Sequence, residues 1–322
     1  MKARRLLITG AAGFTGAHAV RYFHAAGAEV TAVVRRPAAA SPWPEGVRQF
    51  TCDLSDRQAV AAMVAEAEPD EVLHLAGRNS VPESWRDPLL YMETNVMATL
   101  YLLEALRTRP AGRILVAGSR LKYRPGTVSG PPHPYSLSKT LEELVSLAWG
   151  TLFKQPVLMA EPCNLIGPGP STGFCSLLAQ HIVRSEAAAY GGTEAPPAFR
   201  LSSRHALRDF LDVRDAVRAY DYILQHGTEG NIYRIDSGTQ RTLGDISGKL
   251  LVHARAPVPM DWGPDAPEGE QAIPAGHPGG ADTGSGPEVN AAALGWKPEL
   301  SLEQSLREIV DYCRSGRGGR LS

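Results

Sequence analysis

The sequence predicts an α/β fold in which a doubly wound parallel sheet is accompanied by a smaller C-terminal α/β lobe. Short apolar runs that read as strands alternate four or five times with helical patterns before Tyr135. A glycine-rich turn joins the first strand to the first helix, and beyond residue 165 the loops become rich in glycine and proline. We therefore expect one domain from residues 1–165 and about 209–236, and a second lobe from residues 166–208 and 237–322.

Composition limits the classes of partner. The 322 residues carry a formal net charge of -1, which does not favour nucleic acid or an anionic membrane as the ligand. No apolar run approaches the length of about 18 residues that spans a bilayer, and no signal-peptide core precedes the glycine turn. The four cysteines lack metal-ligand spacing, so we expect reduced thiols, no metal and a cytoplasmic location.

The glycine turn is the first candidate binding element. Arg4–Thr9 reads as a strand, Gly10, Gly13 and Gly16 follow at three-residue spacing, and Ala17–Ala26 reads as a helix. Glycines in this context permit a tight turn and a close approach of the backbone to a pyrophosphate at the helix N-terminus. The sequence thus favours a dinucleotide site, and the alternative is a glycine turn that binds nothing.

The end of the second strand addresses which dinucleotide binds. Glu29–Val34 reads as a strand and is followed by Arg35 and Arg36 rather than by an acidic residue. An acidic side chain at this position holds the adenosine ribose of NAD, whereas arginine accommodates the additional phosphate of NADP. The pair therefore favours NADP(H) over NAD(H), with a solvated pair of arginines as the alternative.

Two further strand ends point to the same edge of the sheet. Val47–Cys52 leads to Asp53 and Leu54, which we expect near the adenine, although Asp53 could equally be a helix cap. The strand Glu71–Leu75 leads to Ala76-Gly77, where small residues let the backbone pass close to a cofactor.

A tyrosine and a lysine four residues apart are the candidate catalytic pair. Tyr135 and Lys139 begin a helical pattern, so their side chains share one helix face. Ser119 follows the strand Gly112–Ala117 and reaches the same edge of the sheet. Asn95 lies within a long helical pattern that begins at Pro88, where an amide is favourable only if it bonds a partner.

These residues resemble the extended short-chain dehydrogenase/reductases, a Rossmann-like family of nucleotide-sugar epimerases, dehydratases and reductases. The resemblance rests on the segment 9–16, Asp53-Leu54, the segment 74–77, Asn95, Ser119, Tyr135 and Lys139. Segments 81–85, 164–169 and 208–215 are most similar to GDP-4-keto-6-deoxy-D-mannose reductases and GDP-mannose 4,6-dehydratases.

The resemblance implies roles for individual residues. The residues that would bind NADP(H), or less favourably NAD(H), are Gly10, Gly13, Phe14, Thr15, Gly16, Arg35, Arg36, Asp53, Leu54, Leu75, Ala76, Gly77, Asn95, Lys139 and Pro162. Those that would bind a nucleotide sugar, with a GDP-linked sugar favoured, are Ser80, Val81, Ser119, Tyr135, Asn164, Arg200 and Arg208. The resemblance also implies a homodimer through the helices at 88–106 and 134–149.

The chemistry expected of this set is reduction of a carbonyl. Tyr135 is the acid that protonates the oxyanion, Lys139 favours its phenolate and lowers its pKa, and Ser119 holds the carbonyl oxygen. Family dehydratases have an Asp-Glu pair after the serine or threonine, whereas this chain has Arg120-Leu121, which disfavours dehydration. Glu161 stands where similar proteins usually have arginine, which questions the local substrate contacts.

Three other readings remain at the level of sequence. The family also contains 4-epimerases and 4,6-dehydratases, and a binding protein could use the same fold to sense NADP(H) without turnover. An intact serine, tyrosine and lysine set favours an enzyme over a sensor. The glycine- and proline-rich segment 257–287 cannot form a packed core, and we expect it to be partly disordered or to act as a lid.

Overall fold

The structure is a computed structural model that describes residues 3–37, 43–126, 130–263 and 287–316. These residues form two compact units. The first takes the described residues of Met1–Pro162, Val217–Ile235 and Asp282–Lys297, and the second takes those of Cys163–Ala216, Asp236–Ala281 and Pro298–Ser322. Among the described helices, none is long and apolar enough to cross a membrane.

Thirteen strands are described. They are β1 Arg5–Thr9, β2 Glu29–Val34, β3 Arg48–Thr51, β4 Glu71–His74, β5 Arg113–Ala117, β6 Val157–Pro162, β7 Asn164–Ile166, β8 Phe199–Arg200, β9 Leu207–Asp212, β10 Ile232–Ile235, β11 Gln240–Thr242, β12 Met260–Asp261 and β13 Glu288–Asn290.

Ten α-helices accompany them. They are α1 Phe14–Ala25, α2 Arg57–Ala67, α3 Val81–Arg86, α4 Pro88–Tyr91, α5 Ala98–Thr108, α6 Pro134–Phe153, α7 Phe174–Gly191, α8 Val213–His226, α9 Leu243–Leu251 and α10 Leu302–Arg314. A π-helical turn, Met92–Met97, joins α4 to α5, and a 3₁₀ turn, Ala291–Leu294, follows β13.

The first unit is built on an eight-stranded sheet, and the predicted doubly wound parallel sheet is confirmed. Its strand order is β13-β10-β6-β5-β4-β1-β2-β3, with every neighbouring pair parallel. The chain starts at β1, runs outward through β2 and β3, and then returns to the other side of β1 through β4. This reversal places a topological switch point between the carboxyl ends of β1 and β4, which is where ligands bind in such sheets.

Apolar side chains on the sheet and on α2 and α5 form the core of the first unit. Leu7 and Val72 on the strands pack with Val60 and Met63 of α2 and with Leu103 of α5, and all five are fully buried. Burying each such side chain stabilises the fold by about 1.5–3 kcal/mol. The continuous apolar runs in the strands agree with a parallel sheet that is covered on both faces.

The second unit has small sheets and three helices of its own. β9 lies between β11 and β7, and β8 pairs with β12. Buried side chains of α7, α9 and α10, such as Leu178, Ile246 and Ile309, form its separate core.

Two elements differ from the sequence-based reading. The sequence indicates 231–235 as a final strand, whereas Glu288–Asn290 follows it in the same sheet and pairs with it in parallel register. The helical pattern that begins at Pro88 is not one α-helix, because the turn at Met92–Met97 is π-helical. Of the expected disordered or lid segment 257–287, residues 264–286 lie outside the described residues.

Candidate active site

The glycine turn after β1 is held by contacts that only glycine permits. Gly10 has φ +65°, and a Cβ built on it would lie 2.7 Å from the backbone nitrogen of Ala76. A Cβ on Gly16 would lie 2.1 Å from the carbonyl oxygen of Gly10. The nitrogen of Gly13 donates to that same oxygen at 2.9 Å. The turn therefore packs against the end of β4 at the switch point.

The first turn of α1 presents backbone N–H groups at this edge. The helix begins at Phe14 rather than at the predicted Ala17, so Phe14, Thr15 and Gly16 form its first turn. Gly13 is the N-cap and supplies no side-chain acceptor, and the first turn contains no acidic residue. The first N–H groups of a helix lack intrahelical partners and lie at the positive end of the helix dipole, so this end fits the diphosphate of a dinucleotide.

The residues predicted to meet the adenosine end follow β2 and β3. Arg35 and Arg36 are exposed. Hydrogen bonds from the backbone and hydroxyl of Ser55 lower the pKa of Asp53, with a smaller contribution from the charge of Arg35. The proposed capping role of Asp53 is wrong, because Asp56 caps α2 by accepting from the first turn of that helix. Asp53 is thus an exposed carboxylate that interacts electrostatically with Arg35. The half-buried Leu54 follows it.

A buried hydrogen-bond network lies beneath the switch point. Thr9 Oγ1 accepts from the nitrogen of Ala76 at 3.2 Å and lies 2.7 Å from His74 Nδ1. His74 Nε2 lies 2.9 Å from Thr99 Oγ1, which donates to the carbonyl of Asn95 at 2.7 Å. These bonds assign the proton of the neutral imidazole to Nε2. Burial, and then the charge of Lys139, lower the pKa of His74 to about 3.

Asn95 connects the π-helical turn to the loop after β4. Its Oδ1 accepts from the nitrogen of Arg78 at 2.7 Å, and its Nδ2 donates to the carbonyl of Arg78 at 3.0 Å and to Ser138 Oγ at 2.9 Å. A Cβ on Gly77 would lie 3.0 Å from Asn95 Oδ1 and 4.0 Å from Lys139 Nζ. The amide is therefore fully used to fix the segment that follows β4 against α6.

Ser119 and Tyr135 meet at the carboxyl end of β5. Tyr135 Oη donates to Ser119 Oγ at 3.0 Å, and the nitrogen of Leu121 donates to the same oxygen at 3.1 Å. The tyrosine side chain is buried, whereas Ser119 is half-buried. Because Ser119 Oγ accepts twice, its own hydrogen remains available for a carbonyl oxygen.

Aromatic side chains fix the ring of Tyr135. The ring of Tyr91 meets it edge-on at 6.2 Å, and the ring of His133 stacks on it at 5.9 Å. Tyr91 Oη in turn accepts from the nitrogen of Ser80 at 3.0 Å. The hydroxyl of Ser80 caps α3 by accepting from the nitrogen of Glu83.

Lys139 is buried and donates to the carbonyl of Ala117 at 2.9 Å, and its ammonium also pairs with the carboxylate of Glu142. Lys139 acts on the pKa of Tyr135 in the expected direction, but burial outweighs it. Burial raises the pKa of the phenol, and the charge of Lys139 and the hydrogen bond to Ser119 offset only part of that rise. The phenol is therefore the dominant form of Tyr135 at neutral pH.

Glu161 lies in a buried charge cluster. Lys122 Nζ lies 2.5 Å from Glu161 and 2.7 Å from Glu143, and 3.7 Å from Glu288. Burial raises the pKa of Glu161, and the ammonium of Lys122 opposes that rise. Glu161, which stands where similar proteins usually have arginine, thus holds Lys122 in the segment that follows Ser119.

The predicted substrate residues of the second unit are placed within that unit. Asn164 Nδ2 donates to the carbonyl of Asp209 at 2.9 Å. Arg200 is exposed and lies 3.5 Å from Asp261. Arg208 Nη1 donates to the carbonyl of the preceding residue at 2.8 Å. Only Asn164 has its side chain fixed by a distant backbone group.

Arg241 is a candidate anion-binding residue that the sequence did not predict. In the antiparallel pair of β9 and β11 it lies directly opposite Arg208. Like charges directly opposite each other in a sheet are destabilising, so such a pair fits an anionic ligand. Only the strand register reveals it, because the two residues are far apart in the chain.

The first unit thus brings seven predicted residues into one connected set at the switch point. They are Gly10, Ala76, Gly77, Asn95, Ser119, Tyr135 and Lys139. Leu75 follows β4, and Pro162 ends β6, which β5 separates from β4 in the sheet. Val81 begins α3. No cluster of three or more histidine, cysteine or acidic side chains suited to a metal occurs among the described residues.

A model of the NAD dependent epimerase/dehydratase family matches residues 6–236. The chain belongs to this family. It is 31% identical over 321 residues to the GDP-6-deoxy-D-mannose reductase of Pseudomonas aeruginosa, with 95% of this chain and 96% of that protein covered. A probable dTDP-glucose 4,6-dehydratase of Sinorhizobium fredii is 26% identical, with 96% and 92% covered. The resemblance to extended short-chain dehydrogenase/reductases is thereby confirmed.

Solved structures of this family match nearly the whole chain. The Pseudomonas aeruginosa protein RMD in complex with NADPH is 29% identical, with a TM-score of 0.73 and 98% of both chains covered. The UDP-glucose 4-epimerase of Thermus thermophilus in complex with NAD is 25% identical, with a TM-score of 0.74 and 96% of this chain and 98% of that chain covered. The family uses nicotinamide cofactors, and the glycine turn and α1 of this chain fit one.

Proposed function

We propose that the protein is a cytoplasmic NADP(H)-dependent reductase of a 4-keto-6-deoxy nucleotide sugar, with a GDP-linked hexose as the favoured substrate. The observation that carries this proposal is the contact of Tyr135 with Ser119 at 3.0 Å, with Lys139 buried one helical turn away. Similarity to the GDP-6-deoxy-D-mannose reductase supports the choice of sugar.

The three side chains divide the work of a carbonyl reduction. The bound dinucleotide supplies the hydride. Ser119 donates its free hydrogen to the carbonyl oxygen and fixes its position, and Tyr135 donates its proton to the oxygen as negative charge develops there. Lys139 stabilises the resulting phenolate through its charge. Proton transfer by a positioned acid contributes about 10²–10⁴-fold to such a rate.

Reduction is favoured over dehydration because no acidic residue follows Ser119 directly in the sequence. Residues 120 and 121 are arginine and leucine, and the nitrogen of Leu121 is bonded to Ser119 Oγ. The buried carboxylates of Glu143 and Glu161 are held by Lys122, and that of Glu142 pairs with Lys139. Elimination of water needs a carboxylate that can accept and return a proton, and each of these three already has an ammonium as its partner.

Arg35 supports NADP(H) as the cofactor. It is exposed at the end of β2, at the position where a guanidinium accommodates the additional phosphate. The nearby carboxylate of Asp53 is exposed and acts on Arg35 from the next strand end. The complex of RMD with NADPH agrees with this choice, whereas the NAD complex of the 4-epimerase shows that relatives differ.

Arg208 and Arg241 are proposed to bind the diphosphate of the nucleotide sugar. They lie directly opposite each other on β9 and β11, and a guanidinium group can bind a phosphate through two hydrogen bonds. Replacing either one by alanine should raise KM and leave kcat nearly unchanged, because the diphosphate takes no part in the reaction.

A homodimer is proposed from the exposed apolar side chains on the predicted dimer helices. Leu89 is 72% exposed and Met97 is 38% exposed, and both lie in the segment 88–106. Exposed large apolar side chains on a helix are candidates for an interface. Light scattering of the wild type and of Leu89→Lys would test this, because a monomeric wild type contradicts the proposal.

The direct test of the function is turnover. Purified protein is mixed with GDP-4-keto-6-deoxymannose and NADPH, and both NADPH consumption and the sugar product are followed. Stoichiometric oxidation of NADPH with formation of a 4-hydroxy sugar is expected. Interconversion of 4-epimers without net use of the cofactor would show an epimerase, and binding of NADPH without any turnover would show a sensor.

A further inference from the structure

We propose that Glu142 is a positioning residue that acts through Lys139 to keep Tyr135 in its protonated form, and so biases the site toward reduction. The inference rests on the proposed function, because it concerns the direction in which that reaction runs. Glu142 belongs to none of the predicted site residues and carries no substrate or cofactor role in the account above.

Glu142 is completely buried beside the catalytic pair. Its side chain has 0% relative exposure, and one of its carboxylate oxygens pairs with the ammonium of Lys139. Its other oxygen lies 3.4 Å from Thr99 Oγ1, which belongs to the network of His74. A buried carboxylate is retained only with a partner of opposite charge or with hydrogen bonds, and Lys139 is the partner that Glu142 has.

The charges of the pair decide what Tyr135 experiences. Lys139 alone would place one uncompensated positive charge beside the phenol, which favours the phenolate. Burial raises the pKa of Glu142, and the ammonium of Lys139 opposes that rise. In its ionised form Glu142 compensates the charge of Lys139 within the same buried space, and its negative charge disfavours the phenolate. The ammonium thus keeps its hydrogen bond to Ala117 while its electrostatic effect on Tyr135 is reduced.

Other titratable groups that face Tyr135 and Glu142 are already paired or neutral. The strands contribute His74 of β4 and Glu161 of β6, and the segment after β5 contributes Lys122. The helices contribute Glu83 of α3, Tyr91 of α4 and Glu143 of α6, and His133 precedes α6. His74 is neutral near pH 7, Glu83 is bonded to Tyr91, and Lys122 holds Glu143 and Glu161. Glu142 is therefore the carboxylate that acts on Lys139.

The consequence concerns direction. Reduction of a carbonyl begins with the phenol, which gives its proton to the new alkoxide and ends as phenolate. Oxidation of an alcohol begins with the phenolate, which takes the hydroxyl proton as hydride leaves. A site that holds Tyr135 as the phenol at neutral pH is therefore ready to start reduction, whereas oxidation starts only at a pH high enough to form the phenolate.

The test is the titration of Tyr135 in the cofactor-free protein. Tyrosine is labelled with carbon-13 at Cζ, and the Tyr135 resonance is assigned by its loss in Tyr135→Phe. In Glu142→Gln, which keeps the shape but removes the charge, the Tyr135 midpoint should fall by about one pH unit or more. Glu143→Gln is the matched control, because that carboxylate pairs with Lys122, and its Tyr135 midpoint should stay at the wild-type value.

A second variant covers the case in which Glu142→Gln does not fold. Glu142→Leu fills the same buried helix position with an apolar side chain, and the same downward shift is expected. An unchanged midpoint in whichever variant folds, or an equal shift in Glu143→Gln, would overturn the inference. The proposed function is tested separately by NADPH turnover of the wild type, so the two can fail independently.

A kinetic readout follows from the same argument. In Glu142→Gln, kcat for reduction should begin to fall at a lower pH than in the wild type, and kcat for oxidation should begin to rise at a lower pH. Both shifts should equal the shift of the Tyr135 midpoint. Profiles that stay in place while the midpoint moves would contradict the link to reaction direction.

Discussion

Tyr135 donates a hydrogen bond to Ser119 across 3.0 Å, although the two residues belong to different elements of the first unit. Ser119 follows the central strand β5, and Tyr135 lies in the first turn of α6. Since both elements are fixed by the core, the two hydroxyls are held together before any substrate arrives. Such preorganisation is what a site needs in order to stabilise a developing oxyanion.

Replacing Tyr135 by phenylalanine should lower kcat for ketone reduction by about 10²–10⁴-fold, because the general acid is lost. The affinity for NADPH should change little, since the buried ring remains. Steady-state kinetics and a fluorescence titration of NADPH measure the two effects. Tyr222→Phe, on a partly exposed position of α8, is the control, and full turnover by Tyr135→Phe would exclude the proposed acid.

Gly16→Ala should destabilise the glycine turn and weaken dinucleotide binding. A Cβ there would lie 2.1 Å from the carbonyl oxygen of Gly10, so backbone must move at a cost of about 1–3 kcal/mol. Gly248→Ala is the matched control within α9, because a Cβ there meets nothing within 4 Å. It should stabilise by about 0.5–1 kcal/mol. Denaturant unfolding measures the free energy of unfolding of both variants. Equal stability of Gly16→Ala and Gly248→Ala would refute the steric argument.

Arg35→Ala should reduce the ratio of NADP to NAD affinity. Loss of a charge-assisted hydrogen bond costs about 1.5–3 kcal/mol, which corresponds to a change of roughly 10–100-fold. Dissociation constants for both reduced dinucleotides provide the measurement, with Arg36→Ala as the comparison. A ratio that does not change in Arg35→Ala removes the basis for the NADP preference.

Lys122→Met should lower the free energy of unfolding by about 3–5 kcal/mol, because Glu143 and Glu161 are then buried without their cation. Lys249→Met is the matched control. Its exposed pair with Glu303 at 3.1 Å should contribute no more than about 1 kcal/mol. Adding Glu161→Gln to Lys122→Met should restore part of the lost free energy of unfolding. If Lys122→Met is as stable as the wild type and Glu161→Gln adds nothing to it, the three charges do not stabilise one another.

His74 should make the protein less stable in acid. Its pKa falls from 6.5 to about 3 on folding, so the unfolded chain binds an extra proton between these values. The free energy of unfolding should therefore fall as pH drops below 6.5, by up to about 1.4 kcal/mol per pH unit from this group. His74→Gln should remove that contribution. Urea unfolding at several pH values measures both slopes, and equal slopes would contradict the assignment.

The sequence predicted the elements whose signal is local. The strand Glu29–Val34 has its predicted bounds, and Tyr135 and Lys139 lie on one helix face as their spacing required. In both places, apolar periodicity and steric demands act over a few residues. The glycine turn was located for the same reason, although α1 begins three residues earlier than its pattern suggested.

Features that depend on distant residues could not be predicted. Glu142 and Glu143 read as a charged, solvated helix face, and their burial becomes visible only when α6 is packed. Lys122 reads as a loop lysine until β6 brings Glu161 beside it. Glu288–Asn290 is too short and too polar to be recognised as a strand, and it forms because β10 offers an open edge.

The direction in which the Asn95 side chain points depends on the number of residues in the π-helical turn Met92–Met97. A π turn accommodates an extra residue compared with an α turn, and therefore shifts the angular phase of every following side chain. Deleting one residue from this turn would leave the composition of the helix nearly intact and yet rotate Asn95 away from Arg78 and Ser138. Insertion of a single residue is thus enough to bring an asparagine into contact with the loop after β4. In an alignment, a one-residue gap at this turn would mark relatives in which Asn95 does not hold that loop.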